Sequence, residues 1–170
     1  MIRLDFLMAC LMLTSSAQAP SQTDWRGLTP LRSTILDVER TLGPPNQKRD
    51  NNLIIYYLYD VTVYFYLDGN PKCHQKLSFT SWNVTPDVVT GIDVFLKDPP
   101  LIEETGTDLT KLKKIQGDFD LVDRYIYLND DASFGIEAGP RYITGYHYQP
   151  GIKQKELRCE RSDRIDGTSH

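Results

Sequence analysis

Cysteine is scarce in this chain, with three in 170 residues, at positions 10, 73 and 159. No two stand close enough for a CxxC redox or zinc motif. Histidine is equally thin: His74, His147 and His170 are too few and too scattered for a good metal cluster. No HExxH, GxSxG, phosphate-loop or EF-hand pattern occurs. An excess of positive charge is also missing, since 19 Lys and Arg face 23 Asp and Glu for a net −4. Without a basic footprint, nucleic acid is excluded as an expected partner. No apolar run approaches the roughly twenty residues that a membrane-spanning helix needs. These gaps predict no enzyme, metal or cofactor of a familiar kind.

What is present begins at the amino terminus. Arg3, the apolar stretch Phe6 to Leu13, and the small residues around Ser15, Ala17 and Ala19 follow the order of a secretory signal. Cleavage is expected after Ala17 rather than after Ala19, because the rigid ring of Pro20 fits poorly beyond a scissile bond. The mature chain then starts at Gln18 and keeps the charge of −4, since only Arg3 and Asp5 are lost. Leu7-Met8-Ala9-Cys10 resembles a lipoprotein cleavage box, but too few residues precede it for a complete apolar region. The expected product is exported, periplasmic or secreted, with possible envelope association and no transmembrane helix. Signal removal leaves Cys73 and Cys159, an even count that suggests one disulfide in an oxidising compartment. Such a bridge stabilises by roughly 4.5 kcal/mol in the chain-entropy view. Two buried thiols are the alternative.

Residues 18–30 are polar and irregular, interrupted by Trp25. Leu31, Ile35, Val38 and Leu42 then form an apolar stripe at helical spacing. Thr34 and Asp37 predict a capping box, Gly43 a left-handed stop, and Pro44-Pro45 a bar to continuation. The period next changes to two. Strands are predicted over Leu53 to Tyr59, Val61 to Leu67 and Val88 to Leu96, with a turn at Asp68-Gly69-Asn70-Pro71. In the second half, Leu109, Leu112 and Ile115 suggest a short helix closing at Gly117. Strands over 124–128, 133–138 and 142–148 follow, separated by Asn129-Asp130-Asp131 and Gly139-Pro140. The charged tail 160–170 lacks apolar periodicity. Val89-Thr90-Gly91-Ile92-Asp93-Val94 parallels Ile143-Thr144-Gly145-Tyr146-His147-Tyr148, which suggests a duplication. The first copy carries an insertion, about residues 70–87, containing Cys73 and Trp82. The expected architecture is therefore α+β: short helices on an antiparallel sheet, with units over 18–100 and 101–159, each a helix plus three strands.

Thr34-x-x-x-Val38-x-x-x-Leu42-Gly43-x-Pro45, followed by aromatic strands, resembles the SmpA/OmlA (BamE) domain of bacterial envelope lipoproteins over roughly residues 28–96. Arg32 stands where that family usually has Gly, and the usual lipid-attachment cysteine is missing. A tandem pair of such domains is similar in layout to the secreted β-lactamase-inhibitory proteins. The resemblance implies a helix-on-sheet fold and protein partners.

Strand alternation sets Tyr64 and Tyr66 opposite Val63 and Phe65, and places Phe95, Gly91 and Gly145 on the tyrosine face. That face, with Trp82 of the insertion, is the expected partner-binding surface, because tyrosine offers large contact area at low entropy cost. Burial of the same rings under Trp82, the insertion or the other half is the bland alternative. Adjacent Cys73 and His74 point apart on an extended chain and cannot activate each other. Asp118, Asp120 and the 129–131 run are cheaply explained as solvated turns, and Asn83-Val84-Thr85 is a glycosylation sequon. The resulting expectation is a non-enzymatic protein-recognition or envelope-assembly module. A secreted enzyme inhibitor is the alternative, and a hydrolase is a third. A cleft converging on His147 or Asp93 would favour an enzyme.

Overall fold

The computed structural model describes residues 23–49, 52–70, 81–116 and 123–159. The signal segment, Cys10, Cys73, His74, Gly117, Asp118, Asp120 and the 160–170 tail lie outside them. Helix α1 (Ile35–Leu42) forms as its ends dictate. The amide of Asp37 donates to Thr34 Oγ1, and the amide of Thr34 donates to Asp37 Oδ2 at 2.9 Å. This reciprocal pair satisfies two of the orphan donors at the helix start. The backbone bond from Thr34 holds the Asp37 carboxyl below its usual range. Gly43 ends the helix at φ 80°, where a side chain would be strained. Leu31, placed by its spacing in the helical stripe, instead precedes the cap at φ 61° and donates its amide to Val89.

Eight strands follow: β1 (Gln47–Arg49), β2 (Leu53–Tyr57), β3 (Val61–Tyr66), β4 (Gly91–Leu96), β5 (Lys113–Gln116), β6 (Tyr125–Leu128), β7 (Phe134–Ala138) and β8 (Ile143–Tyr148). They form one antiparallel sheet in the order β1-β2-β3-β4-β8-β7-β6-β5. Each half is a four-strand meander, and the last strands of the two meanders meet at the centre. The fold is thus mostly sheet, with helix among the described residues limited to α1, the single turn α2 (Ile102–Thr105) and two 3-10 segments. Each half has four strands rather than three.

The helix expected through Leu109, Leu112 and Ile115 is replaced by a 3-10 turn, Leu109–Lys111, followed by β5. Spacings of three suit a 3-10 turn, whose i and i+3 side chains eclipse, and Ile115 belongs to the strand. The strand expected from Val88 begins only at Gly91. Val88 and Val89 pair instead with Thr34 and Ser33, ahead of α1. The Thr90 hydroxyl then donates to Tyr66 O and accepts from the amide of Asp68, so it substitutes for a ladder bond.

The core lies between α1 and one face of the sheet. Ile54, Tyr56, Val63, Phe65, Ile92 and Val94 alternate onto that face and are buried, as are Phe134, Ile136 and Tyr148 of the second half. Burying side chains of this size stabilises by about 1.5–3 kcal/mol each. Val38 of α1 is fully buried against them. Trp25, from the segment expected to be irregular, packs its ring 6.0 Å from that of Phe65 and belongs to the core. No described helix is long and apolar enough to cross a membrane.

Candidate functional site

The opposite face carries the polar chemistry. In the β4–β8 ladder Asp93 stands directly across from His147, and Gly145 across from Phe95. Glu137 of β7 lies across from Gly145 on the other side. The three side chains converge. Asp93 Oδ1 is 2.7 Å from His147 Nδ1, and Glu137 Oε2 is 3.4 Å from His147 Nε2, an ion-pair rather than a hydrogen-bond separation. Tyr66 donates its hydroxyl to Asp93 Oδ2 at 2.7 Å. Glu137 is only 3% exposed and accepts from Thr144 Oγ1 at 2.8 Å and from Arg124 Nη1 at 3.2 Å. The register shift between Glu137 and Ala138 brings Thr144 within this reach, in the manner of a β-bulge that re-aims a side chain.

Burial opposes charge on His147, but the hydrogen bond to Asp93 and the nearby negative charges of Asp93 and Glu137 outweigh it and push its pKa up to about 9. The imidazole is therefore an imidazolium at neutral pH. His147 holds the Glu137 carboxyl below its usual range, against the opposing effect of burial. Burial raises the Tyr66 phenol, and the neighbouring Asp93 raises it further. Nδ1 is held by Asp93, whereas Nε2 is buried with no hydrogen-bond partner among the described residues. What the arrangement can do is hold a fixed charge at the joint between the meanders.

Beside this cluster opens a cleft of about 410 Å³. Tyr66, Asp93 and His147 form one side, Trp82 and Arg158 another, and Ile115, Ile126 and Leu128 an apolar wall. Trp82 is fixed there by bridges to Gly69 on one side and Arg158 on the other. Tyr64, Tyr66 and Phe95 share this sheet face and are half-buried, whereas Val63 and Phe65 opposite them are fully buried. Tyr64 meets Phe95 edge-on at 5.5 Å, and Phe95 meets His147 at 6.2 Å. The face is not bare throughout, because Ile55 is buried and Leu53 is nearly so beside these rings. Tyr66 and Trp82 both line the cleft, while Tyr64 and Phe95 form a separate pair.

Cys159 donates its amide to Ser81, immediately after the 71–80 segment that carries Cys73. Sequence reasoning missed Glu137, Arg124 and Arg158. The signal for Glu137 was a single acid inside an apolar strand, Phe134-Gly135-Ile136-Glu137-Ala138. Among the described residues no group of three or more His, Cys, Asp or Glu is arranged to hold a metal ion. Comparison of the chain with protein-family models, with curated proteins and with solved structures returns no match.

Proposed function

We propose that this is an exported, non-enzymatic recognition module that binds a protein partner of the cell envelope through the Tyr64–Phe95 pair and the neighbouring Tyr66–Trp82 cleft. The observation that carries the reading is the half-exposed aromatic row on the sheet face opposite α1. Aromatic anchors set beside a pocket commonly dominate binding energy. A cleft lined by Asp93 and His147, with Nδ1 held by Asp93 and Nε2 without a hydrogen-bond partner among the described residues, is the observation that favours the second reading, an enzyme.

The meanders are further read as tandem units descended from one. Under the Thr90-Gly91 and Thr144-Gly145 alignment, Asp93 and His147 occupy equivalent positions, and they also face each other in the ladder. That coincidence is what a two-fold axis through the seam would produce. The capped α1 ahead of a meander supports a BamE-like unit for the first half. The signal argument gives an exported form beginning at Gln18, which intact mass measurement checks.

The binding reading is tested by Tyr64→Ser. Its denaturation midpoint is expected to stay near wild type, while capture of an envelope partner by the purified protein is lost. Unchanged capture, or a loss of several kcal/mol, would assign Tyr64 to packing instead.

A further inference from the structure

Resting on the binding reading above, we infer that the cleft accepts a lysine or arginine side chain presented by the protein partner, with Asp68 as its counter-ion. Asp68 follows Tyr66 by two residues, shares its sheet face, and lines the cleft beside Trp82. Its backbone is engaged, accepting from the amide of Trp82 and donating to the Thr90 hydroxyl. Among the described residues, however, no donor or cation meets its carboxylate. Asp93, the other acid lining the cleft, is already matched by His147 and Tyr66. Among the described residues nothing offsets the burial of this carboxylate, and burial accordingly pushes its pKa upward. A cation supplied from outside removes that cost.

The neighbouring rings suit the same guest. Trp82 already has the guanidinium of Arg158 6.0 Å from its ring centre, at the reach of a cation–π contact. Arg158 is itself exposed, so water screens its charge far more than that of Asp68. The apolar wall of Ile115, Ile126 and Leu128 can cover the methylene stem of a long basic side chain, leaving its head for Asp68. Tyr64 and Phe95 continue the surface beyond the cleft, where the partner's backbone would lie. Charge complementarity of this kind sets specificity more than raw affinity.

The test is an NMR titration of the full chain with Nα-acetyl-lysine methylamide, using the norleucine counterpart as the uncharged control. Saturable shifts are expected at the Trp82 indole and the Gly91 amide, at concentrations on the order of millimolar for so small a probe. Asp68→Asn is expected to weaken binding by about tenfold or more. It should keep or raise the wild-type denaturation midpoint, because no bond to the carboxylate is lost among the described residues and the cost of burying its charge is removed. Equal shifts with norleucine, no shifts with lysine, or undiminished binding by Asp68→Asn would each overturn the inference. If the lysine probe fails while Tyr64→Ser still abolishes partner capture, the basic anchor falls and the aromatic face stands.

Discussion

The two meanders share a sheet but fill their faces by different means. In the first half, α1 is eight residues long, capped at both ends, and lays the fully buried Val38 against Phe65 and its neighbours. Its core strands alternate cleanly, buried and half-buried, as β3 illustrates. In the second half helix shrinks to one turn of α2 and two 3-10 segments, Leu109–Lys111 and Ile152–Leu157. Strand β7 is nonetheless buried along its whole length, and one of its buried residues is Glu137. The first half is thus held mainly by apolar burial, while the second relies in part on ionic and hydrogen-bonded matching. Apolar packing tolerates adjustment, whereas a buried ion cluster fails if one member is removed. The second half, and the seam that joins it to the first, should accordingly be the more brittle.

The largest expected effect comes from reducing the bridge proposed between Cys73 and Cys159. Denatured, unreduced protein should show no titratable thiol between these two residues, and reduction should cost up to about 4.5 kcal/mol. Two titratable thiols would refute it.

Next in size is His147→Ala, which strands Asp93 and the buried Glu137 and should cost about 3–5 kcal/mol in chemical denaturation. A loss below about 1 kcal/mol would show that the seam does not depend on this charge. The same comparison can be made by pH. The His147 contribution is fully present below its unfolded pKa near 6.5 and is lost as pH rises through about 9. Glu137, held low, contributes above its unfolded value near 4.5 and loses that contribution as pH falls. Stability measured against pH should form a plateau between these limits, and His147→Ala should remove most of the alkaline decline. A wild-type curve that stays flat through pH 9 would break the assignment.

The smallest effect is expected in the first half. Gly43→Val places a β-branched residue at φ 80° and should cost about 1–2 kcal/mol, read as a lowered denaturation midpoint. Open space surrounds the position, so the penalty comes from the backbone alone. An unchanged midpoint would mean that the helix end relaxes freely.

Sequence legibility followed the same division. Thr34, Asp37 and Gly43 carry local information, and each took its expected role. Strands β2, β3, β6, β7 and β8 were visible because apolar and aromatic residues repeat in them. Strands β1 and β5 were not, since Gln47-Lys48-Arg49 and Lys113-Lys114 offer no buried alternation. The side of the sheet bearing Tyr64, Tyr66 and Phe95 followed from strand period alone. The cleft did not, because it requires Trp82 and Arg158 to pair across 76 residues of sequence. The ion cluster was hidden for a like reason: Asp93, Glu137 and His147 lie on three strands, and only the ladder register brings them together.

Strands β1 and β5 close the two ends of the sheet, and their composition bears on how the molecule meets its own kind. Among the described residues each is an edge strand, the kind of template on which a further strand could add. Lys48 and Arg49 stand on one edge, and Lys113 and Lys114 on the other. Lys48 is partly matched by Glu39, but the rest leaves both margins positive. Two copies approaching edge to edge bring like charges together over the few ångströms where strands would have to pair. Ribbon growth from one molecule to the next is discouraged at both ends of the eight described strands.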